Sequence, residues 1–151
     1  MAVATDSNKL RSNLAVTQYD HDPADSTVAT DVAWVDMRDY ENIMITTFAS
    51  VLTGNGVTAF TILANSESDG SGTDVEIKAH AVGSAPDAVG DYLVLECSAE
   101  EIRGAETAAS GQLRYVTANL TAANAADESV VTYIRANPTF AKDALTADVV
   151  A

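Results

Sequence analysis

From residue 32 onward, short runs of apolar residues alternate with turn signals along the chain. The runs are "VAWVDM" (32–37), "NIMITTFASVL" (42–52), "VTAFTILA" (57–64), "DVEIKAHAV" (74–82), "YLVLECS" (92–98), "QLRYVTANL" (112–120) and "SVVTYIRA" (129–136). Rich in Val, Ile, Thr and Tyr and broken by Gly, Asp and Asn, they predict an all-β fold. The expected architecture is an antiparallel β-sandwich or barrel of about seven to eight strands. In 74–82, Val75, Ile77, Ala79 and Ala81 share the expected core face, and Glu76, Lys78 and His80 the wet one. In 92–98, Leu93, Leu95 and Cys97 are expected inward.

Two runs break the alternation. Residues 42–52 and 57–64 are apolar on both faces, which predicts central strands or strands with one face covered by another subunit. Met44, Phe48, Phe60 and Ile62 are therefore the candidate oligomer or capsid interface. Only "SAEEIRGAETAAS" (98–110) looks helical. Ser98 and Glu101 have capping-box spacing, and Gly104 limits the helix to a turn or two. Residues 1–26 mix charge, Pro23 and polar side chains without a period, so they are expected to form an extended N-terminal arm on a single domain, 27–151.

Composition narrows the function classes. Eight basic residues against 22 acidic ones give a net charge of −14, spread along the chain. No cluster of Lys or Arg exists to release counterions from nucleic acid, and an anionic membrane repels the same charge. The start, "MAVATDSNKLRS", lacks the pattern of a signal peptide, and no apolar run approaches bilayer length. A single cysteine, Cys97, has no internal disulfide partner and reads as a small core residue.

Candidate chemistry is sparse. "SESDGSGT" (66–73) crowds carboxylates around glycines, yet counting from Asp69 the sixth position is Asp74 rather than Gly, and the twelfth carries no acid. It reads as a hairpin tip, in which Gly70 and Gly72 supply positive φ. His21 and His80 are too few for a zinc site, and no nucleophile elbow or phosphate loop occurs. No metal, cofactor or catalytic residue is expected. In "VAWVDMRDYENIMI" (32–45), Trp34 and Tyr40 beside Asp36, Asp39 and Glu41 allow a sugar-binding patch or an ordinary strand end with both rings on the core.

The same segment carries a resemblance. "VDMRDYENIMI" is similar to a "VDM-x-x-Y-E" segment running into an apolar strand in small tailed-bacteriophage capsid decoration (cement) proteins. "LANSESDGSGT" looks like that family's "Q-x-S-x-D-x-x-G-T" hairpin. "LRYVTANLTAANAADESVVTYIRANP", with Arg135 and Pro138, resembles its paired closing strands. The likeness covers roughly residues 30–138; longer loops and "SAEEIRGAETAAS" depart from the pattern. It implies a non-enzymatic virion protein, made in the host cytoplasm, that binds the major capsid protein on the head exterior as a homotrimer and cements the lattice. The alternative is another phage structural β-module, a tail or head-fibre component that could bind a host glycan.

Overall fold

A computed structural model describes residues 14–21, 29–53, 56–80 and 89–139. Its strands are β1 (Leu14–His21), β2 (Thr30–Asp31), β3 (Val35–Asp36), β4 (Tyr40–Val51), β5 (Val57–Asn65), β6 (Val75–His80), β7 (Tyr92–Ser98), β8 (Tyr115–Ala122) and β9 (Glu128–Pro138). One short helix, α1 (Ala99–Gly104), follows β7. They form two antiparallel sheets: a four-stranded one in the order β1-β9-β4-β7, and a five-stranded one in the order β2-β8-β5-β6 with β3 also on β8. The sheets do not close into a barrel; the fold is an all-β sandwich.

The core follows from period-two alternation. Ile43, Ile45, Thr47 and Ala49 of β4 face inward with Val131 and Tyr133 of β9. Phe60, Ile62 and Ala64 of β5 and Val116, Ala118 and Leu120 of β8 meet them from the other sheet. Each fully buried large apolar side chain contributes roughly 1.5–3 kcal/mol. Bulges adjust this pattern. One between Val57 and Ala59 lets Val57 and Phe60 both reach the core.

A second bulge corrects the reading of residues 74–82. The register of β6 on β5 shifts between Ile62 and Leu63, so Lys78 pairs with Ile62 and His80 with Phe60. Beyond Ile77 the faces exchange: Ala79 is exposed, and Lys78 and His80 lie half-buried on the inward side. Lys78 closes this margin of the sandwich. Its Nζ donates to the Glu96 carbonyl of β7 at 2.6 Å and lies 3.0 Å from Glu101 Oε1.

Two further expectations change. Within the expected arm, residues 14–21 form β1, an edge strand paired with β9 along its whole length. Its inward residues are Ala15, which is small, and Thr17, Tyr19 and His21, which are polar or amphipathic, so no run of large aliphatic side chains marks it. The rest of the arm, 1–13 and 22–26, lies outside the described residues. The run "VAWVDM" is not one strand either: β2 and β3 both pair with β8 and are separated by Val32–Trp34. α1 starts as expected. Ser98 Oγ accepts from Glu101 N–H at 3.1 Å, and the Glu101 carboxylate accepts from Ser98 N–H at 2.7 Å.

Candidate functional site

The loop between β5 and β6 is a hairpin turn organised by Asn65. Asn65 is fully buried; its amide donates to Asp74 Oδ1 at 2.6 Å, and its Oδ1 accepts from Glu67 N–H at 2.8 Å. Asp69 caps Ser71 N–H at 3.0 Å, and this hydrogen bonding holds its carboxyl below its ordinary value. Of the two glycines expected at positive φ only Gly70 adopts it, at +73°, and a Cβ there would stand 2.4 Å from Trp34 Nε1. The loop therefore lies directly on the indole. Gly72 instead makes room for Asn65, whose Oδ1 would lie 2.4 Å from an added Cβ. Among the described residues no cluster of three His, Cys, Asp or Glu side chains could hold a metal ion.

The "VDMRDY" segment is a knot of structural contacts. Arg114 grips Asp36 with both Nε, at 2.9 Å, and Nη2. Arg38 N–H donates to Asp36 Oδ1 at 2.8 Å, and Arg135 Nη1 to the Asp36 carbonyl at 2.9 Å. The Asp36 carboxyl is accordingly held low, chiefly by Arg114, and the Arg114 guanidinium is raised by the same pair. Tyr40 is buried with the Arg135 guanidinium 4.9 Å over its ring. With Tyr40 covered in this way and Trp34 under Gly70, the stacking surface of the sugar-patch reading is occupied by the protein itself. Cys97 is buried too, and burial, with Glu101 adding to it, pushes its thiol up to about 12. That environment suits packing and disfavours a thiolate.

The four candidate interface residues divide between two places. Phe60 and Ile62 are fully buried in the core, because β5 points them at the opposite sheet. They are withdrawn as interface candidates. Met44 and Phe48 alternate with Ile43, Ile45 and Thr47 and lie on the outer face of the four-stranded sheet. Cross-strand pairing places Val16, Ile134, Met44 and Glu96 in one row there, and Asp20, Val130, Phe48 and Tyr92 in another.

One end of that face concentrates the exposed apolar surface. Phe48 is 37% exposed, Tyr92 70%, Val94 38%, Val51 39% and Val89 65%. These are five of the seven large hydrophobics exposed among the described residues. A bulge between Ala49 and Val51 creates part of the patch: it pairs Val51 with Glu128 and turns it onto the face of Phe48. Val89 is brought in by the turn at Gly90, whose N–H donates to the Ala49 carbonyl at 3.0 Å. Tyr92 and Val94 were legible as outward positions of 92–98; Val51 was hidden because the bulge reverses its parity. Acidic groups rim the corner, Asp20, Asp91 and Glu128 among them.

No protein-family model matches the chain, and comparison with curated proteins finds no match. Among the described residues no helix is long and apolar enough to cross a membrane.

Proposed function

We propose that this chain is a non-enzymatic structural subunit of a tailed-phage virion, bound outside the head as a decoration protein and associating through the Phe48–Tyr92 corner. The observation that carries the reading is that corner: an aromatic and aliphatic patch on an otherwise acidic sandwich. Exposed apolar clusters of this kind mark interaction surfaces, and aromatic anchors dominate binding energy. The resemblance of residues 30–138 to decoration proteins supplies the virion, the capsid partner and the trimer. Closed symmetry lets identical subunits cover such a patch.

The polar constellations support the same reading. Asp36, Arg114 and Arg135 are committed to each other and to backbone, and the Asp69 and Asp74 carboxylates of the 66–74 loop to its own turn. An acidic surface suits a position outside the shell, away from packaged nucleic acid.

Co-purification from the native source tests the reading. The expected partner is the intact head; tail fragments would favour the tail or head-fibre module, and neither would overturn both. Because acidic subunits repel one another, self-association should strengthen as salt screens that repulsion. Sedimentation of the wild type and of Phe48→Lys and Tyr92→Lys variants at rising salt should give oligomers for the wild type only.

A further inference from the structure

The outer face of the four-stranded sheet has a second region, away from the Phe48–Tyr92 corner. Leu14, Met44, Ile134 and Ala136 line a shallow apolar groove there that runs across the sheet to Glu96 and Glu101. The Glu96 carboxylate has no ion pair among the described residues, and Glu101 already meets Lys78. The groove is thus apolar at its centre, and its far end, which Lys78 also lines, carries one net negative charge, on Glu96.

The chain carries a segment of matching chemistry at the near end. Residues 1–13 lie outside the described residues; their sequence and their attachment at Leu14 are known. They hold two bases, Lys9 and Arg11, against one acid, Asp6, in a protein whose net charge is −14. Leu10 stands between the bases. Leu14, where the segment joins β1, is itself a wall of the groove.

Reach agrees with chemistry. By strand pairing, Met44 lies two strands across and two residues along from Leu14, about 12 Å away. Leu10 precedes Leu14 by four residues, an extended reach of about 13 Å. Glu96 lies one strand farther, about 16 Å from Leu14. Lys9 precedes Leu14 by five residues, also about 16 Å.

We propose that this groove is the docking site of the subunit's own residues 9–11, with Leu10 against Met44 and Ile134 and Lys9 at Glu96. The tether makes the encounter intramolecular, so a weak contact suffices to keep the groove occupied. The docked segment covers the Met44 half of the face and leaves the Phe48–Tyr92 corner open. The proposal concerns the isolated subunit and does not depend on what the assembled protein binds.

A paired-cysteine experiment tests it. In full-length Cys97→Ser protein, Leu10→Cys with Met44→Cys should close a disulfide in a species of monomer mass under dilute oxidation. Leu10→Cys with Thr61→Cys, on the outer face of the other sheet, should not. Links between chains only, or closure equally efficient at Thr61, would overturn the proposal, as would no link at all. Charge reversal gives an independent readout in the folded protein. Lys9→Glu should raise the fluorescence of an apolar dye, Glu96→Lys should do the same, and the double variant should return it towards wild type. Additive increases in the double variant would also overturn it.

Discussion

The phenol oxygen of Tyr133, on β9, accepts the backbone N–H of Ala118, on β8 of the opposite sheet, at 3.0 Å. Ala118 lies where β2 and β3 part: its carbonyl takes Val32 N–H at 2.9 Å, while the ladder partners of β8 on either side are Asn119–Asp31 and Val116–Val35. The N–H of Ala118 faces the same break and has no strand carbonyl to meet. Tyr133 reaches across the core to supply the acceptor, and burial pushes its phenol above its ordinary value.

Removing that acceptor should be costly. Tyr133→Phe keeps the ring, including its edge contact with Tyr19 at 5.7 Å between centroids, and leaves a buried N–H unpaired. The expected loss is about 1–3 kcal/mol, read as a lower midpoint in urea with little change in slope. A variant as stable as wild type would mean that the break is satisfied in another way.

Asp127 plays a comparable role for the end of β4. It is 2% exposed, and its carboxylate accepts from Thr53 N–H at 2.5 Å, Thr53 Oγ1 at 3.0 Å and Gly56 N–H at 3.2 Å. Asp127→Ala strands these donors, and bonds to a charged acceptor are worth about 1.5–3 kcal/mol each before compensation by water. We expect a loss on the order of 3 kcal/mol in equilibrium unfolding. Hydrogen exchange should quicken first at Thr53 and Gly56, because the loop opens before the sheet does.

The Asp36–Arg114 pair makes stability depend on pH in a stated direction. Arg114 holds the folded Asp36 carboxyl below its ordinary 3.8, so the folded state takes up the proton less readily than the unfolded chain. The stabilisation is therefore present above 3.8 and is lost as the pH falls through the lower folded value. Asp36→Asn should unfold at lower urea than wild type at neutral pH, and the gap should narrow steadily below pH 3.8. A gap independent of pH would assign the effect to packing rather than charge.

How much of this was legible in sequence depends on whether local pattern and tertiary placement agree. The β5–β6 hairpin and the α1 capping box were readable, because Gly70, Ser98 and Glu101 act on backbone a few residues away. β1 was not, because its inward Thr17, Tyr19 and His21 lack an aliphatic signature. Bulges defeated parity twice, at Ile77 and before Val51. They depend on the partner strand and leave no local mark. The Tyr133–Ala118 contact spans two sheets, so neither residue's neighbours announce it.

The hairpin gives a prediction with its own reporter. The protein has a single tryptophan, Trp34, and Gly70 lies on it. Gly70→Ala adds a methyl where the indole already stands and demands φ +73° of a residue with a Cβ. Trp34 must move, so its near-ultraviolet circular dichroism should weaken and its emission shift to longer wavelength. Stability should fall by at least about 1 kcal/mol. Gly104→Ala, where a new Cβ meets nothing within 4 Å, is the control expected to leave the signal unchanged.

The division of β4 and β5 into core and surface gives the last prediction. Phe60 and Ile62 are fully buried, while Met44 is half-buried and Phe48 37% exposed on the outer face. Truncating the first pair removes core volume that the sandwich cannot refill: Phe60→Ala should cost about 3–5 kcal/mol and Ile62→Ala about 2–5. Phe48→Ala should cost far less, since its ring already meets solvent in the free subunit. Association should respond in the opposite order. Phe48→Ala and Tyr92→Ala remove contact area from the exposed corner without disturbing the core, so they should weaken self-association while leaving the unfolding midpoint nearly unchanged. Ile62→Val, a mild core change, should lower stability by about 0.5–1.5 kcal/mol and leave association of the folded fraction intact. Urea titration paired with sedimentation on the same samples separates the two effects. If Phe48→Ala destabilised the fold as much as Phe60→Ala, the outer face of the four-stranded sheet would not be a free surface.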